Sequence, residues 1–196
     1  MALIPEGAAA RSPRLRWAMG GVAALVVAID QASKSLVLAT RPGSGTGWVT
    51  IWLVRNTGIA GGYGASRPLL VSLVVIVITG VAVTMALRVR GRAAALLLAA
   101  VVGGALGNLA DRVLRGPGLG RGAVVDWIHL SGGVGTMNVS DLAIQLGVLG
   151  AVAAGIAARE PRAGQAGNGE PVRDKGLGSP GGNAAENQAT GPGFLP

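Results

Sequence analysis

The sequence predicts an all-α integral membrane protein with four transmembrane helices, on three observations. Hydrophobic residues make up 50% of the 196 positions and charged residues only 13%, the balance of a membrane protein rather than of a water-soluble globule. Four stretches, residues 17–39, 69–87, 93–110 and 142–158, are apolar over 23, 19, 18 and 17 residues. A helix needs roughly 20 residues to cross a hydrocarbon layer about 30 Å thick. Arginines crowd every second connection, the asymmetry the positive-inside rule describes.

The first stretch follows Arg11, Arg14 and Arg16. It has the charged and apolar regions of a secretory signal, yet no small-x-small site closes it and the helical pattern continues past Asp30, so it is read as a retained helix. The second and third stretches are joined by a very short turn carrying Arg88, Arg90 and Arg92, and Arg159 and Arg162 follow the fourth. These clusters place both termini and the short turn in the cytoplasm, although Arg41, Arg55, Arg67, Arg112, Arg115 and Arg121 then lie outside. Trp48, Trp52, Tyr63 and Trp127 all fall in the two outer loops, where amphipathic rings anchor to a membrane interface. Residues 160–196 hold nine Gly and five Pro among 37 positions with no apolar periodicity, a composition expected to stay disordered. The expected organisation is a cytoplasmic N-terminal segment (1–16), a membrane domain (17–158) and a disordered cytoplasmic tail (159–196).

A net charge of +8 is compatible with nucleic acid, but the basic residues are spread along membrane flanks instead of forming one stripe with stacking aromatics. Membrane lipids are the expected partner, and no nucleic acid is. The absence of cysteine removes disulfides, thiolate nucleophiles and Cys-based metal sites together. With His129 the sole histidine, no zinc site is expected, and His129 with Ser131 makes no recognised triad. The glycine runs "GPGLGRG" and "GSGTG" lack the strand and lysine of a phosphate cradle and read as turns. Gly103 and Gly107, four apart in the third span, read as a close-packing face.

Between Trp17 and Ala158 the acidic residues are Asp30, Asp111, Asp126 and Asp141, and every glutamate lies in the tails. The topology brings all four aspartates to the outer leaflet, where a carboxylate implies a function or a tight partner. Asp30 has Lys34 at i+4 on the same helix face. Asp111 stands beside Arg112 in "GNLADR", read as an ordered turn at the end of the third span. Asp126, in the second outer loop, and Asp141, opening the fourth span, have no adjacent cation. Two carboxylates meeting in a desolvated place divide into one protonated and one ionised, an acid and a base for directing water at a carbonyl. Paired acids in a membrane equally suit ion coupling, so a small proton- or cation-coupled transporter using Asp30 and Lys34 stays open, as does a non-catalytic scaffold.

The ordered set "DQASK" (30–34), "NTGIAGG" (56–62), "GGALGNLADR" (103–112), "VVDWI" (124–128) and "NVSD" (138–141) resembles lipoprotein signal peptidase, also called signal peptidase II, over about residues 17–158. The resemblance implies a membrane aspartyl protease of the bacterial inner membrane. Such an enzyme removes signal peptides from prolipoproteins that already carry diacylglyceryl, at a site on the outer face. It implies Asp126 and Asp141 as the catalytic pair, Asn56, Asn108, Arg112 and Asn138 lining the substrate site, and Asp30, Lys34 and Asp111 as structural support. No cofactor, metal or covalent intermediate is implied. The family's loop after the first helix forms a small β-rich cradle, which suits the β-branched and aromatic "WVTIWLV" (48–54). The chain departs from the family at Gly61 and Met137, where Phe is common.

Overall fold

A computed structural model describes residues 12–42, 47–132 and 135–158; the expected tail (159–196) and most of the N-terminal segment (1–16) lie outside the described residues. The elements run α1 (Pro13–Thr40), β1 (Val49–Asn56), a short 3-10 turn (Ala60–Gly62), α2 (Pro68–Arg88), α3 (Arg92–Leu114), β2 (Val124–Leu130), β3 (Gly135–Met137) and α4 (Val139–Ala157). All four helices, of 28, 21, 23 and 19 residues, are long and apolar enough to cross a membrane. Proline stands in the first turn of α1 and of α2, where its missing N–H removes nothing from the helix.

Helix α3 is the centre of the bundle and packs against the other three. Glycines make that approach possible. A Cβ on Gly103 would sit 2.6 Å from the carbonyl oxygen of Ala23 on α1, and one on Gly104 would sit 2.5 Å from that of Ser140 on α4. From α4, a Cβ on Gly147 would meet the Leu97 carbonyl oxygen at 2.8 Å. Gly103 thus belongs to the expected close-packing face, which extends to Gly104 as well as Gly107. Helix α2 turns Leu69, Leu73, Ile76, Val77 and Val81 outward, as suits a helix facing hydrocarbon.

Three antiparallel strands in the order β1-β2-β3 cap one end of the bundle. The β1–β2 register runs from Val49 opposite Leu130 to Asn56 opposite Val124, with a bulge between Ile51 and Val54; Ile128 and Leu130 of β2 pair with Met137 and Gly135 of β3. The cradle expected around residues 48–54 is therefore present, but it takes two more strands from the segment between α3 and α4. Asp126 lies on β2, opposite Val54, and not on a loop. Trp48, Trp52 and Tyr63 are largely exposed at this end. At the other end Leu15 and Met19 of α1, Ala86 of α2, and Ala95, Leu98 and Ala99 of α3 form a small apolar core, which brings Arg14, Arg16, Arg88, Arg90 and Arg92 to that end.

Helix α1 begins at Pro13, four residues before the expected span, and two helix ends beside the site also differ from expectation. Helix α3 continues to Leu114, so the ordered turn expected at Asp111 and Arg112 is the end of the helix itself, about one turn longer than the expected span; Arg115 Nε reaches back to Asp111 Oδ1 at 2.7 Å and supports the extra turn. Helix α4 begins three residues early, at Val139, because Asn138 caps it. The Asn138 side chain accepts from Asp141 N at 3.0 Å, and Asp141 Oδ2 accepts from Asn138 N at 3.0 Å. This is a reciprocal capping box built from Asn and Asp.

Candidate active site

The cap of α4 brings the two unpaired aspartates together. Asn138 is fully buried, and while its backbone and side-chain oxygen serve Asp141, its Nδ2 donates to Asp126 Oδ1 at 2.6 Å. One residue therefore touches both carboxyl groups. Asn56, at the end of β1, donates to the other oxygen of Asp126 at 3.1 Å, and Asn108 of α3 donates to Asp141 Oδ1 at 2.8 Å. Among the described residues neither Asp126 nor Asp141 makes an ion pair.

Beneath the pair lies a charged frame. Lys34 Nζ lies 2.7 Å from Asp30 Oδ2 and 2.9 Å from Asp111 Oδ2, with all three side chains fully buried. Each aspartate of this frame also holds the backbone beside one member of the pair. Asp30 Oδ1 accepts from Ser140 N at 3.0 Å, next to Asp141, and Asp111 Oδ2 accepts from Val125 N at 3.0 Å, next to Asp126. The expected Asp30–Lys34 pair is present. The expected neighbour of Asp111 is not its partner: Arg112 points away, and Lys34, Arg115 and Gln31 surround Asp111 instead. Residues one apart on a helix diverge by about 100°, whereas Arg115 at i+4 shares the face of Asp111. Gln31 and Arg115 had no assigned role in the sequence, though "DQASK" contains the first and the i+4 spacing to Asp111 marks the second.

Arg112, only 3% exposed, donates to the backbone oxygens of Thr57 and Gly58 and leaves its Nε without a partner. It braces the turn after β1. A Cβ on Gly58 would collide with the backbone of Gly62 at 2.5 Å, so this turn closes only on glycine. A cavity of about 340 Å³ opens beside it, lined by Asn56, Thr57, Gly61, Gly62, Asp126 and Thr136 among others. Of the six residues expected to act on or line a substrate, Asn56 and Asp126 line this cavity, while Asn108, Arg112, Asn138 and Asp141 do not. Gly61 adopts φ +70°, a conformation that favours glycine, and contributes no side chain to narrow the opening.

Burial, followed by the neighbouring charge of Asp141, pushes the Asp126 carboxyl up to about 6 against the donated hydrogen bonds of Asn56 and Asn138. The folded state therefore holds a proton on Asp126 more tightly than the unfolded chain does. That preference destabilises the fold progressively as pH rises from the ordinary carboxylate value near 4 to about 6, and the penalty, on the order of 3 kcal/mol, is present in full above that window. Asp126→Asn lacks the titration, so its melting temperature minus that of the wild type should increase by several degrees between pH 4 and pH 8. Thermal unfolding of both proteins in detergent at the two pH values checks this, and a constant difference refutes it.

The family model described as signal peptidase (SPase) II matches residues 22–157. The lipoprotein signal peptidase of Leifsonia xyli subsp. xyli is 34% identical over 128 residues, covering 63% of this chain and 59% of that protein. That of Streptomyces coelicolor is 34% identical over 134 residues, covering 64% of each. The chain thus spans under two thirds of the length of these two curated relatives. A solved structure described as a bacterial membrane enzyme, obtained by the in meso method, superposes with a TM-score of 0.60 at 25% identity, over 71% of this chain and 87% of that one. The matched span takes in α2, α3, α4, the three strands, α1 from Val22 onward, and every residue of the carboxylate network: this multi-pass membrane protein belongs to the signal peptidase II family.

Proposed function

We propose that the chain is an aspartic endopeptidase that cleaves the signal peptide from diacylglyceryl-modified bacterial prolipoproteins, with Asp126 and Asp141 as its catalytic pair. The observation that carries this reading is the bridging of two ion-pair-free, desolvated carboxyl groups by one buried asparagine. Charge balance supports it. Asp30, Asp111, Asp126 and Asp141 face Lys34, Arg112 and Arg115, four acids against three cations. A single proton shared by the pair makes the set neutral, the state a low-dielectric site favours. The ionised member then takes a proton from water as the water attacks. The protonated member polarises the scissile carbonyl and passes its proton to the leaving amine. Asn56 is the polar wall of the substrate cleft; Asn108 and Asn138 hold the carboxyl groups, and Arg112 shapes the cleft through the Thr57–Gly58 turn. Asp30 and Lys34 are fully buried and fully engaged, which supports a frame over a transport path.

The decisive experiment is cleavage of a diacylglyceryl-modified lipobox peptide by the purified protein in detergent, beside the same peptide without lipid. Processing of the lipidated peptide alone is expected; no cleavage of either removes the reading.

Both termini are proposed to be cytoplasmic in the bacterial inner membrane, with the aspartates at the outer face, membrane lipid around residues 17–158 and the segments 1–16 and 159–196 as cytoplasmic flanks. The arginines gathered at the end away from the sheet support this orientation. A reporter inserted in the turn at Arg90 should be cytoplasmic and one at Gly118 external. A cytoplasmic Gly118 reporter reverses the assignment.

A further inference from the structure

Lys34 is an ammonium with three protons and three side-chain partners, one on its own helix and two on α3: Asp30 Oδ2 at 2.7 Å, Asp111 Oδ2 at 2.9 Å and Asn108 Oδ1 at 3.1 Å. The third contact carries information the first two do not. An ammonium can only donate, so the amide of Asn108 must turn its oxygen to Lys34. Asn138 Nδ2 donates to the same oxygen at 3.1 Å, and the Asn108 NH2 group is thereby aimed at Asp141 Oδ1, 2.8 Å away. Turning the amide over would set its NH2 against two donors and its oxygen against a carboxyl oxygen. Among the described residues no cation donates to Asn56: its oxygen accepts from the backbone N–H of Gly58 at 2.9 Å. The two carboxyl groups thus receive unequal amides, one polarised by a buried charge and one not.

We propose that Lys34 is a positioning residue for the carboxylate pair, fixing the Asn108 amide so that Asp141 holds the negative charge of the pair and Asp126 its proton. The proposal rests on the peptidase reading above and adds a division of labour: Asp141 the base toward water, Asp126 the acid toward the carbonyl and the leaving amine. The charged groups facing the pair are Lys34 and Asp30 from α1 and Asp111 and Arg112 from α3. Arg115, on the far side of Asp111, completes the frame. Helix α2 carries its one charged residue, Arg88, at its opposite end. Lys34 is the cation in this set that also touches an amide bound to the pair.

The test uses the full chain in detergent with the diacylglyceryl-modified lipobox peptide, comparing wild type, Lys34→Met, the charge-balanced Lys34→Met/Asp30→Asn, and Asp126→Asn. The balanced variant guards against misfolding, since it buries no excess charge and its amide oxygen can still accept from Ser140 N. Both Lys34 variants are expected to lose kcat by roughly 10- to 100-fold, the scale of a misplaced reacting group, with KM within about threefold of wild type. The pH–rate bell of Lys34→Met should move to higher pH, because removing a nearby cation makes the pair harder to ionise. A purely structural lysine predicts otherwise: the balanced variant, once folded, would regain wild-type kcat. That result, or an unmoved bell in folded Lys34→Met, overturns the proposal. Asp126→Asn separates the two failures. If it is inactive while the Lys34 variants are unimpaired, only the role of Lys34 is lost; if it keeps full turnover, the pair itself is misassigned and the proposal falls with it.

Discussion

Asparagine in place of Asp126 or Asp141 is expected to lower turnover of a lipidated substrate peptide by roughly 10²- to 10⁴-fold, the range for losing a group that transfers a proton in the transition state. The substitution changes hardly any volume, and both positions sit in frames that other residues hold. Asp126 is fixed by the β1–β2 register and by Val125 N on Asp111, and Asp141 lies in the first turn of α4. Abundance in the membrane should therefore stay near wild type. At position 141 the amide can keep its oxygen toward Asn138 N, and the backbone N–H of residue 141 still donates to Asn138 Oδ1, so both halves of the capping box persist. The double variant should be little worse than either single one, because base and acid act in one step and removing one already disables the other. Turnover and membrane abundance for the three variants decide the matter. Near-full turnover by Asp126→Asn at normal abundance refutes the assignment.

What the sequence disclosed, and what it withheld, follows from the range of each interaction. The four helices were legible because an apolar run of about 20 residues reports on itself. Asp126 and Asp141 stood out because neither has a cation within a helical turn, and among the described residues neither makes an ion pair. The strand at Val124–Leu130 was not legible: seven residues with β-branched and aromatic character fit a loop as well as a strand, and the pairing that decides lies some 70 residues away, where Asn56 meets Asp126 across the sheet. Asp111 illustrates a different failure. Its neighbour in the chain, Arg112, was the obvious counter-ion, but a helix sends adjacent side chains apart, and Lys34 from another helix occupies the place. The Asn138-x-x-Asp141 spacing was visible throughout; its meaning as a cap emerges only where α4 is seen to start.

Gly104→Ala is expected to lower turnover of the lipidated peptide by about 10²-fold from a position that touches neither carboxyl group. The added Cβ would stand 2.5 Å from the backbone oxygen of Ser140 and 2.9 Å from Ile144 Cγ1. A backbone carbonyl cannot rotate aside as a flexible side chain can, so α4 must move away from α3. Overpacking of this kind destabilises by typically 1–3 kcal/mol. The larger effect is on geometry, because a shifted α4 carries Asp141 away from Asn108 Nδ2 on α3 and Asn138 away from Asp126 on β2. A displacement of about 1 Å there stretches these contacts beyond hydrogen-bonding distance, and misplacement on that scale lowers turnover by about 10²-fold. Gly80→Ala is the internal control. It lies in α2, where a Cβ would meet nothing within 4 Å, so helix propensity alone acts and stability should hold or rise by up to about 1 kcal/mol. Melting temperature in detergent and turnover of the lipidated peptide are measured for both. Equal behaviour of the two variants would mean that the α3–α4 seam has slack, and that the position of Asp141 is not set by how closely Gly104 lets the helices approach.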